Sequence, residues 1–151
     1  MKLYRFSPVE TESGLHEAIK YLTEQETLLA TNATGKSLPI TYLTIFAHYD
    51  DEYEQLVRLV ENWGQIHDAN NGIKVSLREP LQENIPVLRI RKPDPYRMQV
   101  GCCDFGVENY EVFKATNLGQ NKNLRLIARP EYEMVEFFDP DLDVLAYVVS
   151  S

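Results

Sequence analysis

The residues most able to do chemistry lie mid-chain, where residues 100–107 form a predicted β-strand with two thiols and a carboxylate. Successive side chains of a strand point to opposite faces, so Cys102 and Asp104 share a face with Val100, while Cys103 points away. The two thiols therefore cannot bind one metal ion from the same side. A carboxylate in line with a valine needs a partner or a cavity, which makes Asp104 a candidate ligand and Cys102 a further one. The alternative is that each cysteine is a small buried apolar residue.

His48 stands where a β-rich run, residues 43–47, gives way to a predicted helix that Asp50 or Asp51 can cap. Site residues are common at such junctions. A neutral imidazole binds metal ions and acts as a base near neutral pH. The alternative is a structural histidine that is hydrogen-bonded to the Asp50 or Asp51 carboxylate.

Glu136 shares a predicted strand face with Met134 and Phe138. An unpaired carboxylate among apolar neighbours is costly, and a cation or an arginine is its usual partner. Two interpretations stay open: Glu136 is a metal ligand, or it forms an ion pair with an arginine such as Arg125 or Arg129.

A cluster of bases interrupts an acidic chain, because Arg89, Arg91, Lys92 and Arg97 flank the 93–96 segment. Arg89 and Arg91 share a strand face, where two guanidinium groups can bind a carboxylate or a phosphate through paired hydrogen bonds. We therefore predict that Arg89, Arg91 and Arg97 form an anion-binding site for a small molecule. The alternative is a solvated strand edge that resists pairing with other sheets.

The composition predicts one folded domain, residues 1–151, since 44% of the residues are hydrophobic. A net charge of −8 repels a phosphate backbone, so we expect no nucleic-acid partner. Because no run approaches about 18 apolar residues and the N-terminus lacks the apolar core of a secretory signal, we expect no membrane partner and a cytoplasmic protein. The adjacent Cys102 and Cys103 cannot form a disulfide in a strand, which fits a reducing compartment.

Hydrophobic periodicity predicts helices over residues 7–30, 51–63 and 108–118, the first beginning at a Ser7-to-Glu10 capping box. Strands are predicted over residues 2–6, 43–48, 73–77, 87–90, 100–107, 124–128, 134–138 and 144–149. Asn71-Gly72 indicates a hairpin turn with a further strand before it. The repeated order predicts an α/β protein of the α+β type: an N-terminal helical extension, residues 1–40, and two β-α-β-β-β modules, residues 41–95 and 96–151, forming a curved mixed sheet.

Two consecutive units of this size resemble the vicinal-oxygen-chelate superfamily, the glyoxalase, bleomycin-resistance and extradiol-dioxygenase group. Residues 133–141 look like the family's closing strand and turn. Within that group, His48, Asn71-Gly72 leading to residues 78–80, and residues 90–95 resemble the YecM-like branch of small bacterial proteins. The resemblance spans residues 41 to 149.

The resemblance implies one divalent metal ion as cofactor, held in the cavity of the curved sheet. Glu136 corresponds to the superfamily's final carboxylate ligand, and His48 lies near the place of its first-strand histidine. Where many members have histidine or glutamate in the central strand, this chain has Asp104 and Cys102, which departs from the usual metal site.

Two functions follow from these residues. The first is a metal-assisted enzyme that acts on a small oxygen-rich substrate, with His48, Asp104 and Glu136 as metal ligands and Cys102 as a further candidate. The alternative is a non-catalytic module that binds a small anion or a protein in the same concavity. A third expectation is a homodimer formed through the apolar residues 145–149, which would be buried instead if that strand lies inside the sheet.

Overall fold

The computed structural model describes residues 5–150, apart from the side chain of residue 83. Its helices are α1 (Glu12–Thr34), α2 (Asp50–Val60) and α3 (Tyr110–Asn117). Its strands are β1 (Ile40–Phe46), β2 (Gly64–Ala69), β3 (Gly72–Leu81), β4 (Ile85–Arg91), β5 (Gly101–Phe105), β6 (Leu124–Ala128), β7 (Glu133–Phe137) and β8 (Val144–Val149), with a 3-10 turn at Gln82–Asn84 between β3 and β4. None of the three helices within residues 5–150 combines the length and apolar composition that a membrane crossing requires.

All eight strands belong to one sheet, in the order β2-β3-β4-β1-β5-β8-β7-β6. In the first half β1 runs parallel to β4, and in the second half β5 runs parallel to β8. The halves meet where β1 and β5 pair antiparallel, so the same order of elements is repeated about that central pair. This confirms the predicted α+β class with an N-terminal helix and two β-α-β-β-β units in a mixed sheet.

Local patterns predicted most strands well. The hairpin at Asn71-Gly72 is present, with Asn71 in the left-handed region at φ 68°, and β2 is the further strand expected before it. The bounds of β6 and β8 are those that alternation predicts. Residues 2–4 of the predicted first strand lie outside the described residues, and residues 5 and 6 form a bend instead of a strand.

The predicted bounds of two helices were wrong. α1 begins after Thr11, whose hydroxyl accepts a hydrogen bond from the Gly14 N–H at 2.9 Å, and it continues to Gly35 in the left-handed region. Ser7 cannot cap it because its side chain is buried and bonded elsewhere. α2 begins after Tyr49 rather than after an aspartate, and Gly64 opens β2.

The two faces of the sheet differ in what covers them. The helix face carries the fully buried Leu43, Leu88, Cys103, Val135 and Phe137, which belong to one hydrophobic core with the apolar stripe of α1. The other side, which we call the open face, carries the intervening side chains of the same strands. Its members are Tyr42, Thr44, Phe46, Arg89, Cys102, Asp104, Leu145, Tyr147 and Glu136.

A carboxylic acid lies inside the core beneath the central strands. Glu26 of α1 has no exposed surface, and neither of its carboxyl oxygens has a hydrogen-bond partner of good geometry within the described residues. Burial raises the pKa of Glu26 well above its usual value; the Cys103 thiol opposes that shift, and the charges of Asp104 and Asp143 add to it. The raised pKa favours the neutral, protonated form of this buried carboxyl group.

We expect Glu26 to make the fold less stable as the pH rises. The folded-state pKa lies above the unfolded-state value, so stability is fully present below the unfolded pKa and is lost between the two values, by about 1.4 kcal/mol per pH unit. Glu26→Gln keeps the shape and removes the titration. Urea denaturation of both proteins at pH 5 and pH 8 should show a steeper loss in the wild type.

The control for this prediction is Glu24→Gln, which changes an exposed carboxyl on the same helix. It should retain the wild-type pH dependence. Equal losses of stability in the wild type and Glu26→Gln between the two pH values would show that Glu26 is not the group responsible.

Candidate functional site

A continuous row of polar side chains crosses the open face. The register places Tyr42 beside Asp104, Asp104 beside Tyr147, Tyr147 beside Glu136, and Glu136 beside Arg125. Five neighbouring strands thus each contribute one side chain to the row. Alternation within each strand puts these groups on the side that the helices leave uncovered.

The two cysteines lie on opposite faces, as alternation predicts. Cys103 is buried on the helix face near Glu26, whereas Cys102 lies on the open face in register with Thr44. Burial raises the pKa of the Cys102 thiol to about 12; the nearby acids add to the shift, while Thr44 and Arg89 oppose it. Cys102 is therefore a neutral thiol near neutral pH and not a reactive thiolate.

His48 holds three separate segments of the chain together. Its Nδ1 lies 2.8 Å from the Ser7 hydroxyl and its Nε2 lies 2.9 Å from the backbone oxygen of Gln99. Because a carbonyl oxygen only accepts, Nε2 carries the proton and Nδ1 accepts from Ser7. The His48 backbone N–H donates to Glu52 at 2.7 Å, and the other Glu52 oxygen accepts from the Val9 N–H at 2.6 Å. Burial lowers the pKa of His48, which favours this neutral ring.

The predicted metal ligands are not brought together. Glu136 is buried and accepts a hydrogen bond from Arg125 at 2.5 Å, which was the alternative considered for it. β8 lies between Asp104 and Glu136, and both ring nitrogens of His48 are engaged. Within residues 5–150, no three His, Cys, Asp or Glu side chains are arranged to hold a metal ion. The assignment of His48, Asp104 and Glu136 as metal ligands, with Cys102 as a further candidate, stays a prediction.

The predicted anion-binding arginines differ in their pairing. Arg91 donates to Asp94 at 2.5 Å, and its guanidinium lies over the Phe46 ring, 4.7 Å from the ring centre. Arg89 and Arg97, in contrast, make no side-chain hydrogen bond or ion pair with the described residues. Two of the three predicted guanidinium groups are thus available to a ligand.

Each unpaired arginine lines its own cavity. The Arg89 cavity has a volume of about 190 Å³, and its lining includes Thr44, Phe46, Asn71, Arg89, Cys102 and Tyr147. The Arg97 cavity has a volume of about 290 Å³, and its lining includes Arg97, Gln99, Lys122, Arg125, Glu136 and Leu145. Asp104 lies close enough to Arg89 to feel its charge: burial raises the pKa of this carboxyl, and Arg89 opposes the rise.

Comparison with known proteins reveals structural similarity without sequence similarity. No protein-family model matches the chain, and no curated protein matches it in sequence. A solved structure described as "Structural Genomics, Protein EC4020" is similar over 98% of this chain and 93% of its own, with a TM-score of 0.69 at 12% identity. That likeness shows the fold alone. Methylmalonyl-CoA epimerase of Streptomyces coelicolor, solved with 2-nitronate-propionyl-CoA, covers 76% of this chain and 100% of its own at 12% identity, with a TM-score of 0.40 that is too low to support an inference.

The fold has the α+β arrangement that the sequence predicts. Its two β-α-β-β-β units, joined through β1 and β5, have the arrangement that the resemblance to the vicinal-oxygen-chelate superfamily implies. The open face is the side of the sheet that carries both the Arg89 and the Arg97 cavities.

Sequence reasoning missed several residues of this site. Tyr147 is the one polar residue in the otherwise apolar 144–149 segment, and alternation places it on the same strand face as Leu145. That polar side chain could have indicated a site on this face. Ser7 and Gln99 gave none, because they reach His48 only through contacts between segments 41 and 51 residues away along the chain.

We expect His48 to be structural. His48→Ala removes both ring hydrogen bonds and leaves the buried Ser7 hydroxyl without this partner, so the free energy of unfolding should fall by about 1–3 kcal/mol. Urea denaturation should give the same loss with a chelator and with added zinc or manganese. His67→Ala, at an exposed position of β2, is the control. A divalent ion that raises the melting temperature of the wild type but not of His48→Ala would contradict this prediction and favour a metal ligand.

Proposed function

We propose that the protein binds a small organic anion on its open face, held by the guanidinium groups of Arg89 and Arg97. The observation that carries the proposal is their lack of partners: Arg91 and Arg125, on the same side of the sheet, each hold a carboxylate, whereas Arg89 and Arg97 hold none within the described residues. A guanidinium group binds carboxylate and phosphate with charge-assisted, paired hydrogen bonds.

The surroundings of these arginines support an anionic ligand. The chain carries a net charge of −8, and against that background bases without an acidic partner in a cavity attract small anions locally. Lys122 adds a further ammonium group to the Arg97 cavity. The Glu136 carboxylate in that cavity is already paired with Arg125, which lessens its repulsion of an anion.

A metal-assisted reaction on a small oxygen-rich substrate stays a prediction of the resemblance. A catalytic zinc site of the usual kind has three protein ligands and an open position. For His48 to serve as one of them, its ring would have to leave Ser7 or the Gln99 carbonyl. Anion binding requires no such rearrangement, which is why we favour it.

We also propose that the chain belongs with the YecM-like branch and works in the cytoplasm. His48 at the end of the first strand and the turn at Asn71-Gly72 support the branch. The unpaired Cys102 and Cys103 agree with a reducing compartment. A homodimer through residues 145–149 has less support, since β8 is paired on both sides by β5 and β7.

The proposal predicts that anions stabilise the wild type through two specific arginines. Titration with phosphate and with small carboxylates at constant ionic strength should raise its melting temperature. Arg89→Ala and Arg97→Ala should each weaken the apparent affinity by roughly ten- to a hundredfold, because each removes a charge-assisted hydrogen-bond donor worth about 1.5–3 kcal/mol.

The matched control is Arg58→Ala, since Arg58 is exposed on α2 and away from the open face. Its response to anions should equal that of the wild type. If all four proteins respond alike, the effect is general charge screening and the proposed site is wrong.

A further inference from the structure

The two arginine cavities are parts of one surface. Cys102 of the Arg89 cavity lies in register with Leu145 of the Arg97 cavity. Tyr147 of the Arg89 cavity lies in register with Glu136 of the Arg97 cavity. Since neighbouring strands of a sheet are only about 4.8 Å apart, the two cavities adjoin across β5, β8 and β7.

The sizes of the cavities favour joint use. Small-molecule sites usually enclose about 300–1,000 Å³. The Arg89 cavity, at about 190 Å³, falls below that range, and the Arg97 cavity, at about 290 Å³, lies at its lower limit. Taken together the two cavities fall within the range, and a molecule that fills both would extend from one arginine to the other.

The floor between the two arginines is uncharged. Leu145 is buried and apolar, and burial raises the pKa of Cys102 to about 12, so the thiol is neutral. Burial also raises the pKa of Tyr147; the Glu136 carboxylate adds to that shift, and Arg97 opposes it. A ligand that crosses this floor needs no charge in its middle and has an aromatic ring and a leucine to pack against.

We propose that the ligand carries two acidic groups, each a carboxylate or a phosphate, joined by an uncharged spacer. One acid pairs with Arg89, the other pairs with Arg97 next to Lys122, and the spacer lies over Tyr147 and Leu145. This inference rests on the proposed anion-binding function and narrows it. A ligand with a single acidic group would leave one of the two guanidinium groups without a partner.

The test compares acids that differ only in the number of acidic groups. α,ω-Dicarboxylates from malonate to suberate, and ω-phosphonocarboxylates of the same lengths, are titrated into the full chain by isothermal calorimetry. Monocarboxylates of equal carbon number serve as references. One length of diacid should bind with one molecule per chain and at least roughly tenfold more tightly than its monocarboxylate, because the second group binds as part of the same molecule.

The variants assign the two ends of the ligand. Arg89→Gln and Arg97→Gln should each remove the advantage of the diacid, so that it binds only as tightly as a monocarboxylate. Arg58→Ala should keep the advantage, and circular dichroism of each variant verifies that it is folded. The two series of diacids distinguish a second carboxylate from a phosphate as the preferred group.

The outcomes separate this inference from the function on which it rests. If monocarboxylates bind at the arginines and diacids bind no more tightly, the two-acid ligand is wrong and anion binding stands. If the advantage of the diacid persists in both glutamine variants, neither arginine holds the ligand and both proposals are wrong. If none of the acids binds to the folded wild type, both proposals are wrong.

Discussion

The antiparallel pairing of β1 with β5 is the interaction on which the rest of the structure depends, because it joins the two halves of the sheet. It sets Thr44 opposite Cys102, and a register shift of one residue would move every side chain of a strand to the other face. Gly101 lies where α1 crosses this pair. A Cβ there would be 2.5 Å from the Thr44 carbonyl oxygen and 2.6 Å from Leu22 Cδ2, so glycine is required by the close approach of the β1 backbone and also leaves room for Leu22 of α1.

The packing of α1 against one side of the sheet divides the polar groups of the central strands between a helix face and an open face. On the helix face, Glu26 and Cys103 are sealed from water by α1, and burial keeps both protonated. On the open face, Cys102 and Tyr147 are neutral for the same reason, although no helix covers them. Cys102 and Tyr147 therefore form an uncharged patch on the open face, where charge is carried by the neighbouring arginines and carboxylates, Asp104 among them.

The functional argument depends on how those charges are paired. Arg125 is 71% exposed yet lies against the buried Glu136, and Arg91 is held by Asp94, so both pairs compensate charge within the fold. Arg89 and Arg97 line the two cavities and form no ion pair with the described residues, although Asp104 lies close enough to Arg89 to feel its charge. Unpaired guanidinium groups do little for stability, and their position on a concave surface of an acidic protein favours a binding role.

The sequence by itself determined the types of most elements, the class of the fold and the face of each central side chain. These depend on patterns within a few residues: the alternation in β5 and β6, the apolar run of β8 and the turn at Asn71-Gly72. It also supplied both alternatives for Glu136. Only the tertiary structure decided which alternative holds, where α1 begins, and that His48 bonds to Ser7 and Gln99. A hydrogen bond or an ion pair needs atoms within a few ångströms of each other. Segments that are distant along the chain come that close only after the strands have paired in their native register.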